Sequence, residues 1–200
     1  MAFRNQRDRG GILRKSFETL LVEQCAPTLA GLKPGSLFRY EGDSRQAARQ
    51  QVRRWDMAFQ PLGLRATILK DCTRTGASMV YIYRPVWLER IFRDDQTAAF
   101  LSAYGYPDAG VAERLEVLSR RYCLEREMPH EIGVFLGYPL EDVVGFIRHK
   151  GRNFTCCGCW KCYGDPDAAQ KCFDRYRRCT LAYQSRYRRG TPIMQLVVAA

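Results

Sequence analysis

The chain has 200 residues, 46% of them apolar and 26% charged, which is enough for one well-buried core. Thirty-two Lys and Arg against 21 Asp and Glu give a net charge of +11, a balance that favours anionic small molecules, an acidic protein or nucleic acid as partners. No apolar run approaches the ~20 residues of a membrane helix, and the first residues lack the apolar stretch of a secretory signal, so a membrane partner is not expected and the cytoplasm is the expected compartment.

Taken in chain order, the first fifteen residues read as a flexible basic segment carrying Arg4, Arg7, Arg9, Arg14 and Lys15. Residues 13–24 place Leu13, Phe17, Leu20 and Leu21 at helical spacing, which predicts an amphipathic helix ending near Cys25. An irregular CAPTLAGLKPG follows, then a strand at SLFRY (36–40). Residues 44–60 predict a second helix with Asp43 or Ser44 as its cap and Ala48, Val52, Trp55 and Phe59 on one face. Leu64–Lys70 and Met79–Tyr83 are β-rich runs separated by DCTRTGAS, a hairpin signal. Helices are expected at 86–93, 95–104, 110–124 and 139–149, the last with Pro139 at its start and Glu141 and Asp142 favourably placed for its dipole.

Phe154–Tyr163 reads as a strand rich in thiols. Asp165 then caps a long helix whose apolar face carries Phe173, Tyr176, Tyr183 and Tyr187, and IMQLVV (193–198) reads as a final strand. The expected architecture is α+β. It is a single domain with a small mixed sheet of about four or five strands, packed helices, a central helical insertion at 86–150 and a strand–helix–strand unit at 154–198.

Four blocks stand out: CAPTLAGLKPGSLF (25–38), YIYRP (81–85), PHEIGVFLGYPLEDVVGFI (129–147) and CGCWKCYGD (157–165). Together they resemble an uncharacterised family of bacterial proteins, a domain of unknown function common in anaerobic gut bacteria. The resemblance runs from about Leu20 to the end and is most specific at HEIGVFLGYPLEDV (130–143). It implies a grouping and carries no assigned activity.

Three constellations bear chemistry. Cys156, Cys157, Cys159 and Cys162 fall within seven positions, and Cys-x-x-Cys-x-x-Cys is a spacing used by zinc and iron–sulfur ligands. The four are therefore candidate metal ligands, with zinc or an iron–sulfur cluster as the group, although a straight strand would send Cys157 and Cys159 to one side and Cys156 and Cys162 to the other. Gly158 permits the turn that convergence needs. Cys25 at a helix end, with His130 as base and Glu131 as its orienter, would make a thiol nucleophile if the three met in space. Lys33, Tyr83, Arg84, Tyr138, Lys161 and Tyr163 lie at loops and strand ends, where cations and phenols suit a carboxylate or phosphate ligand.

The functional expectation is a small-ligand or redox-related binding protein built from these motifs. The alternatives are a thiol enzyme using Cys25 and His130, and a basic nucleic-acid-binding module. The helix at 166–189 carries six arginines, but its tyrosines share the apolar face and are not free to stack on bases.

Overall fold

The computed structural model describes residues 15–72, 75–124 and 128–199. The arginines of the first fourteen residues and the tip of the DCTRTGAS turn lie outside these.

Helix α1 spans Phe17–Leu29, where Ser16 caps its start by accepting from the Thr19 amide at 3.1 Å. It runs on through Cys25 to Leu29, past the expected end, with Pro27 inside it. Pro27 lacks the N–H that would bond the Glu23 carbonyl, and its ring crowds that carbonyl, a local cost at the helix's last turn. Gly31, at φ 68°, then turns the chain out of the helix, a conformation that residues with a Cβ adopt at a cost. Strand β1 (Gly35–Tyr40), helix α2 (Arg45–Phe59) and strands β2 (Arg65–Asp71) and β3 (Ser78–Tyr83) follow near their expected places, with a single 3₁₀ turn (Gln60–Leu62) after α2.

The three strands form an antiparallel sheet in the order β1-β3-β2. It is smaller than expected, and no parallel pair occurs among the described residues. Strand alternation divides the core in two. Phe38, Val80 and Ile82 face α1 and α2, where Phe17, Trp55 and Phe59 complete one cluster. Leu37, Met79, Tyr81 and Tyr83 face the opposite way, into a cluster built by the inserted helices. Those are α3 (Pro85–Phe92), α4 (Asp95–Ala103), α5 (Val111–Leu124), α6 (Ile132–Phe135) and α7 (Leu140–His149). A bulge in β2 between Ile68 and Lys70 frees the Leu69 carbonyl, which accepts from Ser119 of α5 at 2.6 Å.

The chain then differs from expectation twice. Residues 154–163 are not one strand but a tight hairpin, β4 (Cys156–Cys157) against β5 (Lys161–Cys162). Gly158 sits in the turn with the Phe173 ring against it, and a Cβ there would lie 2.3 Å from that ring. After α8 (Pro166–Arg188), which packs along α1, residues 193–196 form a short helix, α9, and not a strand. Ile193 and Leu196 are three apart and both enter the α1/α2 cluster, a spacing that one helical turn satisfies and alternation does not. Val198 beyond it donates its amide to Leu29 at 2.9 Å.

Candidate functional site

Two-residue strands do not hold together unaided. The β4–β5 hairpin is held from outside, by Asp142 in the first turn of α7. Its carboxylate accepts from the Trp160 indole Nε1 at 2.7 Å and from the amides of Tyr163 and Gly164 at 2.6 and 3.0 Å. The residue is buried, and those three donors compensate the charge. Thus fixed, the Trp160 ring stacks on Tyr138 with centroids 4.9 Å apart and meets Phe173 edge-on at 4.5 Å.

Between this hairpin, the β1 side of the sheet and α1 runs a groove of about 680 Å³. Its lining is mostly apolar, with Leu20, Leu37, Met79, Val143, Phe146 and Trp160, and Gln24, Arg39, His130, Asp142 and Lys161 add polar groups. Its size falls in the range that accommodates cofactors and metabolites. A smaller recess of about 400 Å³ adjoins it, sharing Leu37, Leu136, Tyr138 and Cys159, and Lys33 opens into that recess. The Lys33 ammonium lies 5.2 Å from the centre of the Tyr138 ring and forms no ion pair with a carboxylate among the described residues. Burial pulls its pKa below the ordinary lysine value. Burial likewise pushes the Tyr138 phenol up to about 12, so it stays a neutral hydroxyl.

The expected ligand-binding residues separate into two groups. Lys33, Tyr138 and Lys161 border the groove and its recess. Lys161 is already engaged, donating to the Gly151 carbonyl at 2.7 Å and lying over the Phe154 ring. Tyr83 shares a sheet face with Leu37 and Met79 but borders a different cavity, between β2 and α5, and stacks on Tyr81. Arg84 is turned into the fold and away from the groove. It is only 1% exposed, and its guanidinium donates to the carbonyls of Thr28, Leu29 and Val198 at 2.9, 3.0 and 2.7 Å. It closes the C-terminal end of α1, where carbonyls lack helical partners, and ties the chain's last residues to it. Tyr163 stacks on His149 behind the hairpin, away from the groove.

The thiol triad does not assemble. Cys25 has no exposed surface and sits in the α1/α2 cluster, where burial raises its pKa and keeps it a neutral thiol. His130 is exposed at the groove's edge, its ring against Phe146 at 4.9 Å. Glu131 points inward, accepting from Tyr106 at 3.0 Å and Arg121 at 2.5 Å, and orients no imidazole.

The four-cysteine clamp does not assemble either. The hairpin register sets Cys156 opposite Cys162 and Cys157 opposite Lys161, so alternation separates the thiols. Cys157 and Cys159 border the groove, whereas Cys156 and Cys162 pack toward α8. Among the described residues no three His, Cys, Asp or Glu side chains are grouped to hold a metal ion. The arginines of α8 are exposed, whereas Tyr176 is buried and Tyr183 and Tyr187 pack on the core.

The residues that organise the site and escaped the sequence reading are Asp142 and Leu37. Asp142 was legible only as a helix-start acid, and Leu37 only as a strand residue. Beyond that, Asp142 was marked only by its place in the block that carries the family resemblance.

A family model described as "Protein of unknown function (DUF3793)" matches residues 21–197. The chain belongs to that family. The matched span begins within α1, takes in the sheet, the hairpin and most of the groove's lining, and ends within the C-terminal tail that Arg84 holds. No curated protein and no solved structure matches the chain. No helix among the described residues is long and apolar enough to cross a membrane.

Proposed function

We propose that the protein binds a small amphipathic molecule, with a flat apolar body and an anionic group, in the groove between β1 and the β4–β5 hairpin. The observation that carries this reading is the pairing of the mostly apolar groove of about 680 Å³ with the Lys33 ammonium in the recess beside it, which has no carboxylate partner among the described residues. The apolar lining supplies affinity through burial, and the cation selects an anionic end. Tyr138 and Trp160 line the groove and add aromatic surface against which a planar body packs. A net charge of +11 raises the local concentration of anions around the molecule.

The test uses 8-anilinonaphthalene-1-sulfonate as the probe, an aromatic anion whose emission rises in apolar sites. The folded protein is expected to bind it saturably, one probe per chain. Leu37→Trp, which fills the junction of groove and recess, is expected to abolish that binding without loss of fold by circular dichroism. Absence of saturable binding, or equal binding by folded Leu37→Trp, would contradict the reading.

A further inference from the structure

The β4–β5 hairpin places two of the nine cysteines directly across from each other. Cys156 and Cys162 are register partners, and no other pair of cysteines is opposed on a strand ladder among the described residues. Directly opposed residues of an antiparallel pair have Cα atoms about 4.5–5.5 Å apart and Cβ atoms on the same face. That lies within the span a disulfide bridges, about 4.4–6.8 Å between Cα atoms. Both thiols point to the same small cluster, in which Cys162, Ala169 and Phe173 are buried and Cys156 packs against them. Both also reach the start of α8. The Cys162 thiol donates to the Asp165 carbonyl at 3.5 Å and the Cys156 thiol to the Pro166 carbonyl at 3.9 Å. The two differ in access, since Cys162 is 1% exposed and Cys156 is half-buried.

We infer that Cys156 and Cys162 form a thiol–disulfide exchange site whose oxidant is a small-molecule disulfide of the glutathione type. The difference in access assigns the order of events. Cys156, as the thiolate, attacks one sulfur of the small disulfide and expels the other half as a thiolate, which takes up a proton. The resulting mixed disulfide joins Cys156 to the retained half. Cys162 then gives up its proton and attacks the Cys156 sulfur, expelling the second half as a thiol. In sum, two protein thiols are oxidised to one disulfide and one small disulfide is reduced to two thiols. The product ring encloses Cys157, Gly158, Cys159, Trp160 and Lys161, so it would clamp the turn that walls the groove. The inference goes beyond the ligand-binding proposal and does not rest on it.

The other thiols are placed differently. Cys157 is on the opposite side of the hairpin, Cys159 is beside Tyr138, and Cys25 is enclosed in the α1/α2 cluster. Cys172 and Cys179 are seven residues apart on α8, roughly 10 Å along its axis.

Trypsin separates the pair, because cleavage after Arg152, Lys161 and Lys171 puts Cys156 in peptide 153–161 and Cys162 in peptide 162–171. Reduced, folded protein is equilibrated with oxidised and reduced glutathione, quenched with N-ethylmaleimide, digested and read by mass spectrometry. The expected product is peptide 153–161 linked to 162–171 through Cys156, with maleimide on Cys157 and Cys159 and otherwise lighter by two hydrogens than the sum of the reduced peptides. Cys159→Ser and Cys172→Ser should form the same link. Cys156 and Cys162 recovered as separate maleimide or glutathione adducts, or a link made instead through Cys157 or Cys159, would overturn the inference.

Discussion

Asp142 accepts the indole N–H of Trp160 at 2.7 Å while holding the amides of Tyr163 and Gly164 with its other oxygen. One carboxylate on α7 therefore sets the position of the whole hairpin and the angle of the ring that walls the groove. In Asp142→Asn one oxygen becomes an amide nitrogen, and a donor then faces a donor. The expected cost is about 1–3 kcal/mol. Urea unfolding measures it, and Trp160 emission, obtained by difference from Trp160→Phe, should shift red as the indole gains water.

Arg84 gives a contrasting prediction, because its work is within the fold. Arg84→Ala would remove one donor from each of the carbonyls of Thr28, Leu29 and Val198, of which Thr28 and Leu29 keep a backbone amide partner, and should destabilise by about 1–3 kcal/mol. Arg84→Lys should recover only part of this, since an ammonium lacks the planar fork that spans three acceptors. Denaturant midpoints report both. Probe affinity per folded molecule should stay unchanged, whereas a ligand-binding role for Arg84 would lower it.

Cys25 should be inert in the folded protein. Its burial keeps it a thiol and shuts out reagents, so alkylation by iodoacetamide should be at least about 100-fold slower than at exposed Cys157 or Cys159. In urea the difference should vanish. His130→Ala should leave the Cys25 rate unaltered, as mass mapping of alkylated peptides can establish.

Lys33 carries the anion preference. Lys33→Met should weaken 8-anilinonaphthalene-1-sulfonate by about tenfold, equivalent to ~1.4 kcal/mol, and leave the uncharged analogue N-phenyl-1-naphthylamine unaffected. The sign of the pH effect follows from the lowered pKa. The ammonium loses its proton as pH rises through a value below the ordinary lysine figure of ~10.4. Sulfonate affinity should therefore fall with rising pH in that alkaline window, and Lys33→Met should flatten the profile. Stability should run the other way. The unfolded chain holds the Lys33 proton to higher pH than the folded one, so folding gains as pH climbs through the window.

Much of the frame was legible because local and global signals agree in it. Ser44 caps α2, Ala48, Val52, Trp55 and Phe59 mark its buried stripe, and β2 and β3 alternate as strands facing two cores should. The hairpin was not legible, because its strands are two residues long and its stability comes from Asp142, distant in sequence. Arg84 misled for a related reason. A cation beside a strand end looks the same in sequence whether it faces a ligand or the carbonyls of a helix terminus. IMQLVV carries strand propensity, yet Ile193 and Leu196 bury together only if the chain makes one helical turn. Of the candidate site, Lys33 and Tyr138 were visible as members of distinctive loops, and their meeting with Trp160 depended on the tertiary path.

The most direct measurement is the indole ¹⁵N–¹H spectrum of the protein during titration with 8-anilinonaphthalene-1-sulfonate, with Trp160 assigned by Trp160→Phe. Trp160 borders the groove, whereas Trp55 is enclosed in the opposite core and Trp87 lies on α3. The Trp160 signal should move progressively and saturate at one probe per chain, with Trp55 and Trp87 still. A stationary Trp160 signal at saturating probe would contradict the assignment of the groove as the ligand site.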